Sequence, residues 1–387
     1  MSAATGQARL LVDPTAIRSN VVRLRGPRRT PLMAVVKANG FGLGARTVAR
    51  AALDAGASRL GAATLAEARE VADLGVGVLA WLTTPDELAE QRRSLAETPS
   101  LEVAVGSVEH LRALLTRSPA LTPGATRPVR VHLFADCGMS RDGCPDYDWP
   151  ALCAQVSIAE RAGLVRCVGV MGHLGCGDHV GEPCHQEGVR AFDHAVSVAG
   201  SYGLHPRLRH LAATSAALGA PRTHHTLLRT GAGLVGIDPS GLGRLDPVAR
   251  LEAPLAQVRR VRAGATVGYG HDHRTSHESW LGLLPLGYAD GIPRSASGRA
   301  EVSVAGVRRA IVGAVSMDQC VVDLGGQPVA AGTMATIFGP GGPTLSEWAT
   351  WSDRLEHEVL TGIGGRVRRV PAPAPALASA PLAECVA

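Results

Sequence analysis

Lysine is almost absent from this chain. Its 39 basic residues include one lysine, Lys37, and every other one is arginine. Aromatic residues make up only 3% of the chain, so a core has to be built mostly from Ala, Val and Leu. No apolar run is long enough to span a bilayer, and the first residues, MSAATGQARLL, lack the charged-then-apolar layout of a signal peptide. A cytoplasmic location is therefore expected. The net charge of +5 is dispersed, with no basic block interleaved with aromatics, which argues against a nucleic-acid surface.

Cys-x-x-Cys pairs are also missing. The eight cysteines stand at 137, 144, 153, 167, 176, 184, 320 and 385. In a long chain without a secretion signal they are expected to be separate small thiols and not a disulfide frame. His173, Cys176, His179, Cys184 and His185 gather metal-type ligands in one short stretch. Their spacing matches no zinc ribbon or finger, and no metal is expected.

What is present has a clear order. At 387 residues the chain can hold two domains, or one large barrel with an appended module. From about residue 30 to 240, short apolar runs alternate with amphipathic stretches. The runs Leu32–Val36, Arg59–Ala63, Gly77–Leu82, Leu101–Val105, Val129–Ala135, Arg166–Met171, Leu208–Ala212 and Gly233–Ile237 read as strands. Helical periodicity lies between them, as in Ala45–Ala55 and Glu187–Tyr202. This alternation predicts an α/β fold of the (β/α)8 TIM-barrel type. A doubly wound sheet is less suited, because no Gly-x-Gly-x-x-Gly opens a helix after the first strand. After residue 248 short β-type runs are broken by Gly, Pro and Asp, which predicts a C-terminal, mostly-β domain. The expected domains are 8–247 and 248–370, with a disordered Pro/Ala-rich tail at 371–387.

The single lysine sits in Met33-Ala-Val-Val-Lys-Ala-Asn-Gly-Phe-Gly-Leu-Gly44, at the end of an apolar strand and before a glycine-rich turn. Arginine stays protonated, whereas a desolvated lysine can lose its proton and attack a carbonyl. The carbonyl that fits best is the aldehyde of pyridoxal 5'-phosphate, held as a Schiff base. On composition alone, an incidental lysine with its head in water fits as well. Barrel chemistry collects at the C-terminal ends of the strands. Lys37, the loop Asp136–Arg141, His173 and the pair Thr214 and Ser215 all fall there. Arg229, Gly231 and Ala232 precede the eighth expected strand, and suit the same rim only if that strand begins earlier. Thr214, Ser215, Gly231 and Ala232 offer hydroxyl and backbone donors for a phosphate. Arg229 is a candidate partner for a pyridine nitrogen. Tyr269, between two glycines, and Tyr288 are candidate acid/base or entrance groups.

These segments together resemble the alanine racemase family. The resemblance is carried by AVVKANGFGLG, His132-Leu-Phe-Ala-Asp-Cys-Gly-Met-Ser-Arg141, Met171-Gly-His173, His210-Leu-Ala-Ala-Thr-Ser215, Arg229-Thr-Gly231, Val267-Gly-Tyr269-Gly, Gly287-Tyr-Ala-Asp-Gly-Ile-Pro-Arg294 and Val315-Ser-Met-Asp-Gln319, in the family's order. It implies a fold-type III pyridoxal phosphate enzyme that racemises an amino acid, most simply alanine, as a homodimer with shared sites. Lys37 would carry the cofactor and act on one face of the substrate, and Tyr269 of the other subunit on the opposite face. Arg141 and the backbone N–H of Met317 would hold the substrate carboxylate. Arg229 would face the pyridine nitrogen with His173 behind it. Thr214, Gly231 and Ala232 would bind phosphate, Tyr288 would line the entrance, and Asp318 would lie toward the second subunit.

The chain also departs from the family pattern. Phe41 replaces a tyrosine, and His357 stands where a phosphate-touching tyrosine is usual. Phe134 occupies the place of a lysine that is often carbamylated, and no second lysine exists to supply that group. Either Thr214 or Ser215 can take the family's phosphate-binding hydroxyl position. These changes favour keeping open a racemase for another amino acid. A decarboxylase of the same fold and a non-catalytic pyridoxal phosphate-binding regulator are the remaining readings.

Overall fold

A computed structural model describes residues 7–116 and 127–373. Eight parallel strands form one sheet, in the order seventh to first and then eighth. They are Leu32–Val35, Arg59–Ala62, Val78–Ala80, Leu101–Val105, Val129–Phe134, Val165–Met171, Leu208–His210 and Leu228–Thr230. The sheet nearly closes. Between the seventh and eighth strands the Arg229 N–H donates to the Ala212 carbonyl at 2.9 Å, and the Thr226 N–H to the Arg209 carbonyl at 3.1 Å. Helices follow the strands and cover the outside, giving the TIM-type barrel that the alternation predicts.

The eighth strand differs from expectation. Gly233–Ile237 is not a strand; Ala232–Val235 is a 3-10 turn, and the strand is Leu228–Thr230. A short buried apolar run carries no period by which strand and helix can be told apart. The shift places Arg229 within the barrel strand itself.

Side chains alternate across each strand. Leu32 and Ala34 pack outward in the main core, whereas Met33, Leu79, Ala104, Phe134, Met171 and Leu227 form a separate apolar cluster. Next to that cluster lie Glu102, His132, His210 and Arg229, all buried. The barrel is therefore filled by an apolar layer and a polar one.

The second sheet has nine strands. Its members include Ala249–Pro254, Gln257–Val261, Ser279–Leu284, Glu301–Val304, Val307–Val312, Cys320–Gly325 and Met334–Phe338. Residues 251–261, which read from the sequence as one β-type run, fall in two strands. A strand not read from the sequence, Arg9–Val12, also lies here, antiparallel to Ala249–Pro254 and parallel to Arg368–Pro371. The Pro/Ala-rich stretch after residue 373 lies outside the described residues.

The cysteines need one correction. Cys176 and Cys184 form a disulfide, with their Cα atoms 6.1 Å apart. The chain turns back after Cys176, and His185 Nδ1 lies 3.2 Å from the Cys176 carbonyl, which brings the start of the helix Pro183–Ser201 against that turn. Cys137, Cys144, Cys153, Cys167 and Cys320 are free and buried. Among the described residues no cluster of His, Cys, Asp or Glu could hold a metal ion, and no helix is long and apolar enough to cross a membrane.

Candidate active site

Lys37 follows the first barrel strand and opens an unusual turn. Ala38, Asn39 and Phe41 have φ of 50°, 53° and 57°, and Gly40 and Gly42 are also positive. The chain therefore makes one left-handed turn, which costs roughly 1–2 kcal/mol for each non-glycine residue. Neighbouring groups hold it. Glu67 accepts the Ala38 N–H at 2.7 Å through Oε1 and the Ala63 N–H at 2.9 Å through Oε2. Asn39 Oδ1 accepts the Ala45 N–H at 2.9 Å, tying the turn to the next helix. The carbonyl of Gly42 accepts from Arg369 Nε at 2.9 Å.

A cavity of about 360 Å³ opens at the C-terminal end of the barrel. Its wall contains Lys37, Phe41, Phe134, Arg141, His173, Thr214, Ser215, Arg229, Gly231, Ala232 and His357. The lysine, the arginines and the hydroxyls singled out in the barrel sequence thus meet in one place. Tyr269, Tyr288, Met317 and Asp318 do not line it within this chain.

Lys37 has its pKa lowered, first by burial and then by the positive charge of Arg141; Glu67 and Asp142 oppose this. A larger fraction of neutral amine follows, the form that acts as nucleophile or base. His173 is pushed down to about 3, by burial first and then by Arg229, Arg141 and Lys37. Its ring is therefore neutral at ordinary pH. His357 is lowered by burial and by Lys37, and its ring centroid lies 6.2 Å from that of Phe41.

Arg229 is buried and forms no ion pair among the described residues. Nη1 donates to His210 Nδ1 at 3.1 Å and to the His210 carbonyl at 2.7 Å. Nη2 donates to the Gly172 carbonyl at 2.7 Å and lies 3.3 Å from His173 Nδ1. A guanidinium has five N–H groups. Four are committed, and among the described residues the Nε–H of this cavity-lining side chain has no acceptor.

Thr214 and Ser215 begin a short helix, Thr214–Gly219, and Ala232 begins the 3-10 turn Ala232–Val235. First-turn N–H groups lack intrahelical acceptors and point outward as donors. Thr214 Oγ1 also accepts the Gly233 N–H at 3.0 Å, which ties the two turns together.

Arg141 sits on the loop after the fifth strand, where Asp136 Oδ1 accepts the N–H groups of Gly138, Met139 and Ser140 at 3.0, 2.9 and 3.1 Å. Its side chain is 53% exposed and its ion-pair partner is Asp142, at 3.4 Å. Phe134 is buried in the apolar barrel cluster beside Met171, so it offers Arg141 no hydrogen bond.

Tyr269, Tyr288 and Met317 are 72%, 43% and 53% exposed and come from neighbouring loops of the C-terminal domain. The Tyr288 N–H donates to the Ser316 carbonyl and the Ala289 N–H to the Met317 carbonyl, both at 3.0 Å. A Cβ on Gly287 would meet those two carbonyl oxygens at 2.3 Å, so only glycine fits. Asp318 pairs with Arg366 at 2.7 Å, and Arg366 also holds Asp290 at 2.9 Å. Glu67, Glu102, His132 and His210 were not singled out from the sequence, although His132 and His210 each open a quoted motif.

An amine of lowered proton affinity and a spare arginine donor meet at the mouth of a (β/α)8 barrel, an arrangement suited to an enzyme site. The chain belongs to the alanine racemase family. The family model of the alanine racemase N-terminal domain matches residues 12–239, and that of the C-terminal domain residues 248–371. An alanine racemase of Thermobifida fusca is 40% identical, over 93% of this chain and 96% of its own. One from Streptomyces coelicolor is 40% identical, over 94% and 95%. The crystal structure of the alanine racemase of the D-cycloserine producer Streptomyces lavendulae superposes with a TM-score of 0.88 at 39% identity, covering 95% of this chain and 97% of that one.

Proposed function

We propose that this chain interconverts L- and D-alanine, using pyridoxal 5'-phosphate carried on Lys37 and a second copy of the chain to complete the site. The observation that carries this reading is the donor set of one cavity. It offers an amine of lowered proton affinity, the one N–H that the buried Arg229 leaves uncommitted among the described residues, and the N–H groups of two short helical turns. An aldehyde, a pyridine nitrogen and a phosphate match those three in turn, so the residues fit the group. A relative from Bartonella henselae, 26% identical with a TM-score of 0.82, has been solved with covalently bound pyridoxal phosphate.

When bound, pyridoxal phosphate supplies an electron sink that acidifies the α-hydrogen of an attached amino acid. Arg229 would face the pyridine nitrogen from Nε and, because it cannot accept a proton, would leave that nitrogen unprotonated. Thr214, Ser215, Gly231 and Ala232 would hold the phosphate. Phe41, Phe134 and His357 supply walls. Lys37 moves a proton at Nζ on one face of the substrate carbon, and Tyr269 of the partner subunit moves one at its hydroxyl on the other. Arg141 and the partner's Met317 N–H bind the carboxylate, while the partner's Tyr288 and Asp318 stand at the mouth. The exposure of Tyr269, Tyr288 and Met317 on one patch supports a face that is covered in the working protein.

The test is α-hydrogen exchange in heavy water with a panel of L- and D-amino acids, followed by chiral analysis. Inversion of alanine with exchange is expected. Inversion of a different amino acid alone would move the substrate assignment. Carbon dioxide release would favour a decarboxylase, and no exchange with any amino acid a binding protein.

A further inference from the structure

A hydrogen-bond chain crosses the barrel interior beneath Arg229. His210 Nε2 lies 2.8 Å from His132 Nδ1, and His132 Nε2 lies 2.8 Å from Glu102 Oε2. Glu102 Oε1 accepts from Arg130 Nε at 2.7 Å and from Arg59 Nη2. Glu102, His132 and His210 are all 0% exposed.

The ends of this chain fix its direction. Arg229 can only donate, so His210 Nδ1 must accept and His210 must carry its proton on Nε2. His132 Nδ1 then accepts that proton's hydrogen bond, and His132 Nε2–H donates to Glu102. Burial disfavours the charged form of both rings, against the pull of Glu102 at His132, and Arg229 disfavours it further at His210. Arg59 and Arg130 anchor the carboxylate at the far end. Each donor therefore meets an acceptor. The reversed arrangement would set a His210 N–H against an Arg229 N–H.

We propose that Glu102 and His132 are positioning residues for the reaction: they lock His210 in its Nε2–H form, and His210 in turn holds Arg229 with its Nε–H turned to the cavity. The inference rests on Arg229 facing the cofactor ring. Glu102 also ends this hydrogen-bonded series in a carboxylate, two rings away from the buried Arg229 charge. Hydrogen bonds in series polarise one another.

Histidine-selective 15N NMR of the cofactor-loaded, full-length protein reads the tautomers directly. His132 and His210 are expected to be neutral with the proton on Nε2, without titrating between roughly pH 6 and pH 8. His132→Leu cuts the chain. It should lower kcat about tenfold, the worth of one lost hydrogen bond, leave KM for alanine unchanged, and shift the cofactor absorption band. His132→Gln keeps a donor toward Glu102 and an acceptor toward His210 and should restore most of the rate. An Nδ1–H or charged His210 in the unmutated protein overturns the proposal, whether or not the variants fold. A wild-type rate and spectrum in His132→Leu overturn it as well. If that rate and spectrum accompany an altered His210 tautomer, the error lies in the placement of Arg229 toward the ring.

Discussion

Arg369, on the last strand of the C-terminal domain, donates from Nε to the carbonyl of Gly42 at 2.9 Å, five residues past Lys37. Its Nη atoms hold the carbonyls of Ile363, Gly364 and Val367 at 2.5, 2.5 and 2.7 Å. The same glycine lies so close to the helix Glu356–Thr361 that an added Cβ would meet the Leu360 carbonyl at 2.9 Å. The left-handed lysine turn is thus clamped by the second domain, which offsets the backbone strain at Ala38, Asn39 and Phe41.

Replacing Arg369 with Ala should free that turn. Loss of several charge-assisted hydrogen bonds is worth about 2 kcal/mol or more. The melting temperature should fall and cofactor should be lost more readily on dialysis. Retention of both at wild-type levels would show that the clamp is incidental. Gly42→Ala, with φ at +80° and the Leu360 carbonyl in the way, should act in the same direction.

Much of this arrangement was legible in the sequence, for identifiable reasons. A single lysine after a buried strand marks itself, and strand–helix alternation placed it on the same rim as Arg141, His173 and Thr214. The eighth strand was misplaced because Gly233–Ile237 is as apolar as a strand and too short to show a period. The left-handed turn was hidden because Ala38 and Phe41 do not advertise positive φ, and Asn39 beside Gly40 signals an ordinary tight turn and not a run of five such residues. The Cys176–Cys184 bridge depends on how a loop folds back, which spacing does not show. Glu102 reads as an ordinary strand residue; its partners Arg130 and His132 come from the adjacent barrel strand and Arg59 from the strand two places away on the other side.

Tyr269→Phe tests the two-base reading. The residue is 72% exposed on a turn with positive-φ glycines on both sides, so the change should leave stability within about 0.5 kcal/mol. Racemisation should fall by roughly a hundredfold or more in both directions, since both need both bases. Exchange of the α-hydrogen should survive from one enantiomer alone, the one Lys37 serves. Equal loss of exchange from both enantiomers would remove Tyr269 from proton transfer.

The two hydroxyls after the seventh strand can be separated. Thr214 Oγ1 already accepts from Gly233, whereas the Ser215 hydroxyl has no partner among the described residues. Ser215→Ala should weaken cofactor binding about fivefold or more with little change in melting temperature. Thr214→Val should weaken binding and also lower the melting temperature, because the Gly233 N–H loses its acceptor. Reversal of this pattern would assign the phosphate contact to Thr214 alone.

Acid should destabilise the fold through its buried neutral histidines. His173 drops from an ordinary 6.5 to about 3, and burial lowers His132 and His210 as well. Below about pH 6.5 the unfolded chain binds protons that these folded rings refuse, so the proton excess lies with the unfolded state. Stability is then complete above that pH and declines as pH falls toward the folded value of His173. Each such histidine contributes about 1.4 kcal/mol per pH unit within the window. Glu102, whose pKa is held below the ordinary 4.5 by His132 and Arg59 against the effect of burial, adds its share only at lower pH. Melting temperatures of the cofactor-loaded protein measured between roughly pH 7.5 and pH 5 should therefore fall steadily, with the decline starting near the ordinary histidine pKa. A flat profile across that range would mean that the interior rings take up protons without cost. That would contradict both the neutral His210–His132 pair beneath Arg229 and the low proton affinity of His173.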